Sequence, residues 1–510
     1  MPGHGGRRAA RSGLHDAGTR RYAHRVYARR KGGAMNGRDN AHHDAPGNVV
    51  DLLIVGAGPA GLKAAQEASQ AGLSVWLADE NPLPGGQIYR NVTRSPVSNA
   101  EAIFGAEYAA GRRLAAAASS PTIRYLPNTL VWQITPEKQA FLLEKGAVTR
   151  HHQIQARFIL LAVGAQERTF PMPGWTLPGA MTVGAAQLLM KSAGLLPPSP
   201  SVLVGNGPLL LLFAAQVIRA GGQIQAILDT TAPRRYLNAL PLLPAALRHT
   251  PGYLYKGWRL LREIKRAGIP YFSGVDNLAI EGDKQVSAVR FTQRGKTRRL
   301  ATPAVLTHIG VTPAVQLANA LGCRLQWDNQ QQYWFPELDE WQRASLPGVY
   351  IAGDAGGIVG AEASELSGHI AALDILHAAG VITLQERDKT AGPLQATLRN
   401  QLAIRPFLAA LYPVPPAAYQ PEDSVTICRC EQVSAGEIRA AAKIGCGGAN
   451  QLKAFTRCGM GPCQGRMCGQ NAARLLADAQ GSAMAEVGYQ RARFPLKPIT
   501  LAELAQSGEE

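Results

Sequence analysis

Long apolar runs are missing from this sequence. The most apolar stretch, Val202 to Ile218, is interrupted by Gly205-Asn206-Gly207-Pro208. It is too short and too broken to span a membrane, which takes about 20 consecutive apolar residues. No apolar segment of signal-peptide length follows the N-terminal arginines, so a secretory signal is not expected and the cytoplasm is the expected location. Aromatic residues are few, at 6%. Cysteine is almost absent before residue 428: six of the seven fall within 428–468, and Cys323 stands alone, read as a buried small hydrophobe. Acids are outnumbered, 36 against 53 Lys and Arg, for a net charge of +17. That excess invites a nucleic-acid reading, but its distribution argues against one. Residues 1–34 hold nine Arg/Lys and one acid, Asp16, and so carry +8. With no apolar periodicity, residues 1–47 are expected to be a disordered basic extension, with Met35 as an alternative start.

What is present suits a large globular protein. The 510 residues allow roughly three domains. Val49 to Val55 reads as a short apolar strand, Ala60 to Ala71 as a helix, and Ser74 to Ala78 as a second strand. A similar β-α-β unit starts at Val202 after the linker Leu196-Pro197-Pro198-Ser199-Pro200. Its helix is expected over 208–220 and its next strand over Gln223 to Leu228. Gly348 to Leu376 reads as strand, Gly/Asp turn and helix, and Pro413-Val414-Pro415-Pro416 marks another linker. The late segment Phe494 to Pro498 is expected to be extended.

Between the first strand and helix lies Gly56-Ala57-Gly58-Pro59-Ala60-Gly61. Gly56 permits a tight turn, Gly58 lets backbone approach a pyrophosphate, and Gly61 lets helix and strand pack closely. The helix N-terminus then offers free N–H groups to phosphate. Asp79, at the end of the second strand, stands where a carboxylate accepts ribose hydroxyls, and its neighbour Glu80 is the alternative. A glycine-rich turn without a ligand would not need the strand, the helix and the acid all in place.

The second unit carries Gly205 and Gly207, but Leu210 stands where the third glycine belongs. Asp229 ends its next strand, followed by Arg234-Arg235. The acid suits an NAD ribose, and the arginines suit an adenylate phosphate. Two readings stand side by side: a site for NAD(P) or another nucleotide, and a domain that keeps the fold without the chemistry. Neither unit has a CxxC pair, which argues against a dithiol relay.

The late cysteines read Cys428-Arg429-Cys430, then Cys458-Gly459-Met460-Gly461-Pro462-Cys463-Gln464-Gly465-Arg466-Met467-Cys468, with Cys446 between. In a reducing compartment such a cluster suggests a metal before disulfides. Four thiolates bind a [2Fe-2S] cluster or a structural zinc. The glycines allow tight loops with N–H groups free for the sulfurs. Cys446 is read as a packing residue.

Three segments resemble the thioredoxin-reductase-like flavoproteins. They are Pro84-Gly85-Gly86-Gln87, the connector Leu160 to Ala165, and Val349-Tyr350-Ile351-Ala352-Gly353-Asp354-Ala355. The resemblance implies FAD on the first unit, with Gly86 and Gln87 beside the flavin and Asp354 on the ribityl hydroxyls. Residues 456–468 resemble the bacterioferritin-associated-ferredoxin-like [2Fe-2S] domain, whose ligands map onto Cys428, Cys430, Cys463 and Cys468. Cys458, equally spaced from Cys463, is the rival. The whole order over 48–510 resembles the A subunits of opine oxidases, of D-hydroxyproline and proline dehydrogenases, and the related subunit of hydrogen cyanide synthase. Its C-terminal half is similar to the sarcosine oxidase α subunit.

The resulting expectation is an α/β fold with two Rossmann-like dinucleotide-binding domains, the FAD domain split around the NAD(P)-type one, plus a small helical [2Fe-2S] domain. The FAD domain is expected to comprise 48–168 and 305–390, with the NAD(P)-type domain at 169–304 between its two segments. A connector at 391–423, the cluster domain at 424–476 and a tail at 477–510 follow. The resemblance implies an FAD-dependent oxidoreductase acting on CH–NH bonds within a complex. A flavoprotein β subunit of amine-oxidase type would oxidise the amino acid or opine. No membrane span and no nucleic-acid partner are expected, and no catalytic residue is assigned. His308 is read as a structural histidine rather than a flavin neighbour. A self-sufficient NAD(P)H-dependent flavin reductase is the alternative, and a non-enzymatic metal-binding redox sensor is a third reading.

Overall fold

The computed structural model describes residues 49–506, so the expected basic extension lies outside the described residues. The strand Val49–Val55 is buried along most of its length and Val75–Ala78 along all of it, as befits parallel strands covered on both faces. Around them the first sheet runs Ile123–Leu126, Val75–Ala78, Val49–Val55, Arg150–Leu161, then antiparallel Gln139–Glu144 and Thr129–Ile134. Val349–Ile351, almost 200 residues further on, joins the far end of Arg150–Leu161 in parallel. This places the Gly353-Asp354 turn beside the Gly56 turn at the carboxyl ends of the strands, where open α/β sheets bind ligands.

The helices Pro59–Gln70 and Ala361–Ala378 pack across this sheet at close range. A Cβ on Gly368 would stand 2.2 Å from the Ala60 carbonyl oxygen, so only glycine permits the approach.

The second sheet is wholly parallel, in the order Tyr271–Ser273, Ile224–Asp229, Ser201–Gly205, Ala304–His308, Ala180–Thr182. A three-stranded antiparallel sheet, Val275–Glu281, Ala288–Gln293 and Lys296–Ala301, shares its core. The chain leaves the first sheet through Ala165–Glu167 and returns through Val311–Pro313. These two segments pair antiparallel.

Beyond the Pro-rich linker, a two-stranded ribbon, Thr426–Cys428 with Val433–Ser434, precedes helices Ala435–Lys443, Ala449–Thr456 and Gly469–Gln480. They enclose a core that includes Cys428, Cys446, Cys458 and Cys468. The Pro-rich linker is fastened down: Val414 and Ala418 enter the core under the second sheet. The extended tail also finds a surface, with Ala492 and Leu496 in the core of the first sheet.

One buried charge ties helix Ala361–Ala378 to its surroundings. Asp374 is fully buried and accepts hydrogen bonds from Arg343 (2.5 and 2.7 Å), Tyr350 (2.8 Å) and Arg387 (2.7 Å). Burial pushes its carboxyl pKa up, but the three donors outweigh burial and hold it below the ordinary carboxylate range. Asp374→Ala removes the acceptor that Arg343, Arg387 and Tyr350 share, leaving Arg387 with Asp388 and Arg343 facing solvent, and is expected to cost about 1–3 kcal/mol in urea unfolding. Because the native pKa is depressed, the wild-type advantage is present above the unfolded value of about 4 and shrinks as the pH falls through it. A difference independent of pH would contradict the assignment.

Candidate functional site

The Gly56–Gly61 turn has the geometry its sequence implies. Gly56 adopts φ +106°, and a Cβ there would stand 2.4 Å from the Ala162 carbonyl oxygen. A Cβ on Gly61 would meet the Gly56 carbonyl oxygen at 2.0 Å. Pro59 starts the helix, and Gly58 leaves its N-terminal N–H groups without a side-chain cap. The Pro84–Gln87 segment folds directly over this turn. Gly85 N–H donates to the Ala57 carbonyl at 2.8 Å, and a Cβ on Gly86 would stand 2.9 Å from Gly58 Cα. The result is a cradle of bare backbone shaped for a phosphate-linked cofactor.

Asp79 faces this cradle. One carboxylate oxygen accepts the Ala57 N–H at 2.6 Å, and the other accepts the Asn81 backbone and side-chain N–H groups, each at 2.7 Å. Glu80 turns outward and pairs with Lys497 of the tail. Of the two neighbouring acids, Asp79 is therefore the one at the turn.

Gly353 lies against Ala60, and its N–H donates to Ser367 Oγ at 2.8 Å. Asp354 Oδ1 accepts the N–H groups of Val359 (2.8 Å) and Gly360 (2.9 Å), while Oδ2 meets no donor among the described residues. The Gly56 turn, the glycines over it and the Gly353-Asp354 turn thus lie side by side around the start of the first helix.

Lys191 was invisible to sequence reasoning. It is almost wholly buried, and its ammonium donates to the carbonyls of Ile88 (2.8 Å) and Gln87 (3.3 Å). Burial, and then the Arg90 guanidinium, push its pKa down to about 7.

The second glycine turn keeps its backbone shape, with Gly205 at φ +132° and Gly207 at φ +100°. Its acid is engaged. Asp229 is buried and accepts hydrogen bonds from Tyr271 Oη (2.7 Å) and Thr231 N–H (2.8 Å). Burial pushes its carboxyl pKa up. Asn206, in the turn itself, donates to the Pro413 carbonyl of the linker at 2.9 Å. Arg234 and Arg235 make no ion pair with Asp229. Leu210, in the third-glycine position, is buried. His308 is buried beside this turn and hydrogen-bonds Glu167 at 2.6 Å, while Glu167 also accepts the Gly184 N–H at 2.8 Å.

Five cysteines converge in the C-terminal region. The sulfurs of Cys428, Cys458 and Cys468 lie within 4.8 Å of one another, all buried. Cys463 contacts both Cys468 and the exposed Cys430 through its thiol. The Cys458 and Cys468 thiols hydrogen-bond Cys428 and pull its pKa far below the ordinary thiol range. Backbone N–H groups of Gly459 and Glu431 point at Cys428, and those of Met467 and Gly465 at Cys463. Such N–H···S donors and this all-sulfur set fit an iron–sulfur cluster. Cys446 bonds the Gly448 carbonyl instead, and Cys323 is buried in the first sheet's core, where burial pushes its thiol up to about 11.

The cysteine loop rests on the strand that leaves the first sheet. Gln166 Nε2 donates to the Arg466 carbonyl (3.1 Å), and Thr169 Oγ1 donates to the Met467 carbonyl (2.9 Å). Asn471 Nδ2 holds Thr169 Oγ1 at 2.8 Å. From the other side, Gln87 Nε2 donates to the Ala165 carbonyl at 2.9 Å. Four short contacts therefore connect the glycine cradle to the residues next to Cys468.

Comparisons with known proteins agree with this geometry. Residues 50–368 match the pyridine nucleotide-disulphide oxidoreductase family, and residues 424–507 match the sarcosine oxidase A3 domain. The chain is 43% identical to the A subunit of opine oxidase from Rhizobium meliloti (strain 1021), over 90% of this chain and 99% of the relative. It is 32% identical to hydrogen cyanide synthase subunit HcnB of Pseudomonas aeruginosa, over 90% of this chain and 99% of the relative. L-proline dehydrogenase from P. horikoshii shares the fold, with a TM-score of 0.64 at 20% identity over 89% of this chain and 79% of that one. With its FAD-type cradle, its family match over most of the chain and these full-length relatives, the chain belongs to the pyridine nucleotide-disulphide oxidoreductase family of flavin-dependent oxidoreductases, in the branch that contains the opine oxidase A subunits.

Proposed function

We propose that the chain is the electron-transfer subunit of a heteromeric amine or amino-acid dehydrogenase, holding FAD on the first sheet and a [2Fe-2S] cluster on its late cysteines. The observation that carries this reading is the seating of the cysteine loop on the strand beside the glycine cradle, through Gln166 and Thr169. Gly56, Gly58, Pro59, Ala60 and Gly61 would hold the FAD pyrophosphate, Asp79 the adenosine ribose, and Asp354 the ribityl chain. Gly86 and Gln87 would border the flavin. Cys428, Cys430, Cys463 and Cys468 would ligate the cluster, with Cys458 as a fifth thiol in its inner wall. When bound, FAD supplies a carrier that takes electrons in pairs and releases them singly to a one-electron centre.

The chain's own residues do the positioning. Lys191 fixes the carbonyls of Gln87 and Ile88, and Gln87 fixes Ala165. Gln166 and Thr169 then fix the two residues before Cys468. Of the proposed ligands, Cys428 and Cys468 are buried, Cys463 is half-buried and Cys430 is exposed, so the site is shielded on one side. Substrate oxidation is assigned to a partner flavoprotein of amine-oxidase type, in keeping with the subunit names of the relatives. The names of the relatives, subunits of opine oxidase and of hydrogen cyanide synthase, support a multi-subunit setting, and the first supports an opine substrate.

Direct reduction by NAD(P)H would need the second turn and Asp229. Asp229 is drawn to Tyr271 Oη of the neighbouring strand, and the linker carbonyl of Pro413 is bonded to Asn206 within the turn itself. These contacts favour a domain that keeps its fold as a scaffold.

Anaerobic visible spectra test the division of labour. The flavin and iron–sulfur bands are expected to bleach on addition of proline, hydroxyproline or an opine only when the partner flavoprotein is present. Bleaching of the isolated chain by NADH alone would make it a reductase and overturn the reading. Metal analysis tests the ligand set. Cys428→Ser and Cys463→Ser chains are expected to lose most of their iron while keeping flavin, whereas Cys446→Ser and Cys458→Ser keep both. Zinc in place of iron in the parent chain, or iron loss in Cys446→Ser, would contradict it.

A further inference from the structure

Beyond residue 34 the chain carries +9, and +7 of this falls on the 33 residues 234–266. They hold eight Lys/Arg and one acid, Glu263. The segment folds as helices Arg234–Ala239, Leu243–His249 and Pro251–Arg266, with a short turn at Leu240–Leu242. It is the crossover between the adjacent strands Ile224–Asp229 and Tyr271–Ser273. One helix suffices for such a crossover, so the two shorter helices are additional.

The long helix turns Leu260 and Ile264 into the core. Its outer side shows Tyr255 and Trp258, whose rings stack at 5.9 Å. Arg259 and Arg262 lie over these rings, at 6.0 and 5.2 Å. The shorter helices and their turn put large apolar side chains into solvent: Leu237 is 67% exposed and Leu240 54%, with Tyr236 and Leu247 beside them in sequence order. Tyr255 is 60% exposed and Trp258 52%. Nearby acids are already used. Glu263 is clasped by Arg219, at 2.6 and 2.7 Å, and Glu107 by Lys256. The other seven basic side chains of the segment meet no carboxylate among the described residues.

We propose that residues 234–266 dock the chain on the surface of an anionic lipid bilayer. Protruding leucines, interfacial Trp and Tyr, and unpaired Arg and Lys on one short segment are the combination that settles at the headgroup boundary. The apolar side chains enter the acyl edge, while the cations meet lipid phosphates, an attraction that salt screens. Arg, Tyr and Trp also occur in protein interfaces, but the centre of such an interface is depleted of charge, whereas here seven cations without a carboxylate are interleaved with the apolar side chains. The contact is peripheral, since no helix among the described residues is long and apolar enough to cross a membrane. The inference is independent of the electron-transfer reading, because none of these residues lines the cradle or the cysteine site.

Co-sedimentation of the full chain with vesicles tests it. One set contains phosphatidylglycerol and phosphatidylethanolamine in equal parts, and the other only phosphatidylcholine. The chain is expected on the anionic vesicles alone, and less as salt rises. Combined Arg259→Glu, Arg262→Glu and Lys265→Glu should weaken binding at least about tenfold. Leu237→Ala with Leu240→Ala should weaken it several-fold, and both variants should keep the parent's flavin absorbance. Residues 1–34 are unchanged throughout, so the difference reports the helical segment. Equal binding of parent and charge-reversed chains overturns the proposal, as does equal binding to neutral vesicles. Failure of the parent to bind vesicles, with loss of a co-purifying protein on charge reversal, overturns it in favour of a protein interface.

Discussion

The antiparallel pair of Ala165–Glu167 with Val311–Pro313 is a small element under a large constraint. Both passages of the chain between its two sheets run through it. Parallel sheets present their ligand-binding turns at the carboxyl ends of strands, and the chain leaves both sheets at those ends. The pair therefore sits where the cradle of the first sheet and the turn of the second come together. The cysteine loop then docks on the same few residues, through Gln166 and Thr169. The placement of every candidate site depends on this one crossing point.

Close backbone contact explains why the cradle was legible in the sequence. Gly56, Gly61 and Gly86 each meet backbone atoms at distances that exclude a side chain. Requirements of that kind leave a local signature, and so does an acid at a strand end such as Asp79. The convergence of five cysteines was equally readable, because thiols cluster in sequence where they cluster in space. Choosing among them was not, since Cys458 shares the buried group with Cys428 and Cys468.

What stayed hidden depends on contacts between distant segments. Glu80 is drawn away from the cradle by Lys497, which lies 417 residues later. Asp229 matches the pattern of a ribose acceptor, yet Tyr271 from the neighbouring strand has taken its place as partner. The Pro-rich linker reads as a spacer, but Asn206 fastens it to the second turn. Lys191, Gln166 and Thr169 are ordinary residues in sequence, and only the fold brings them to the cradle and the cysteine loop. The net charge was visible as a total. That +7 of it lies on an exposed, aromatic and leucine-rich surface needed the burial of each residue.

In the proposed function, the seating of the cysteine loop on residues 166–169 would couple FAD to the iron–sulfur cluster. Rapid mixing of the chain and the proposed partner flavoprotein with a candidate amino-acid or opine substrate, followed by freeze-quench electron paramagnetic resonance, tests this. In a Gln166→Leu, Thr169→Val chain that retains flavin and iron, flavin bleaching should keep its rate, while the reduced-cluster signal should arrive at least about tenfold later, a barrier increase of about 1.4 kcal/mol. Unchanged arrival of that signal would mean that electrons do not depend on this contact, and the account would fail at its centre.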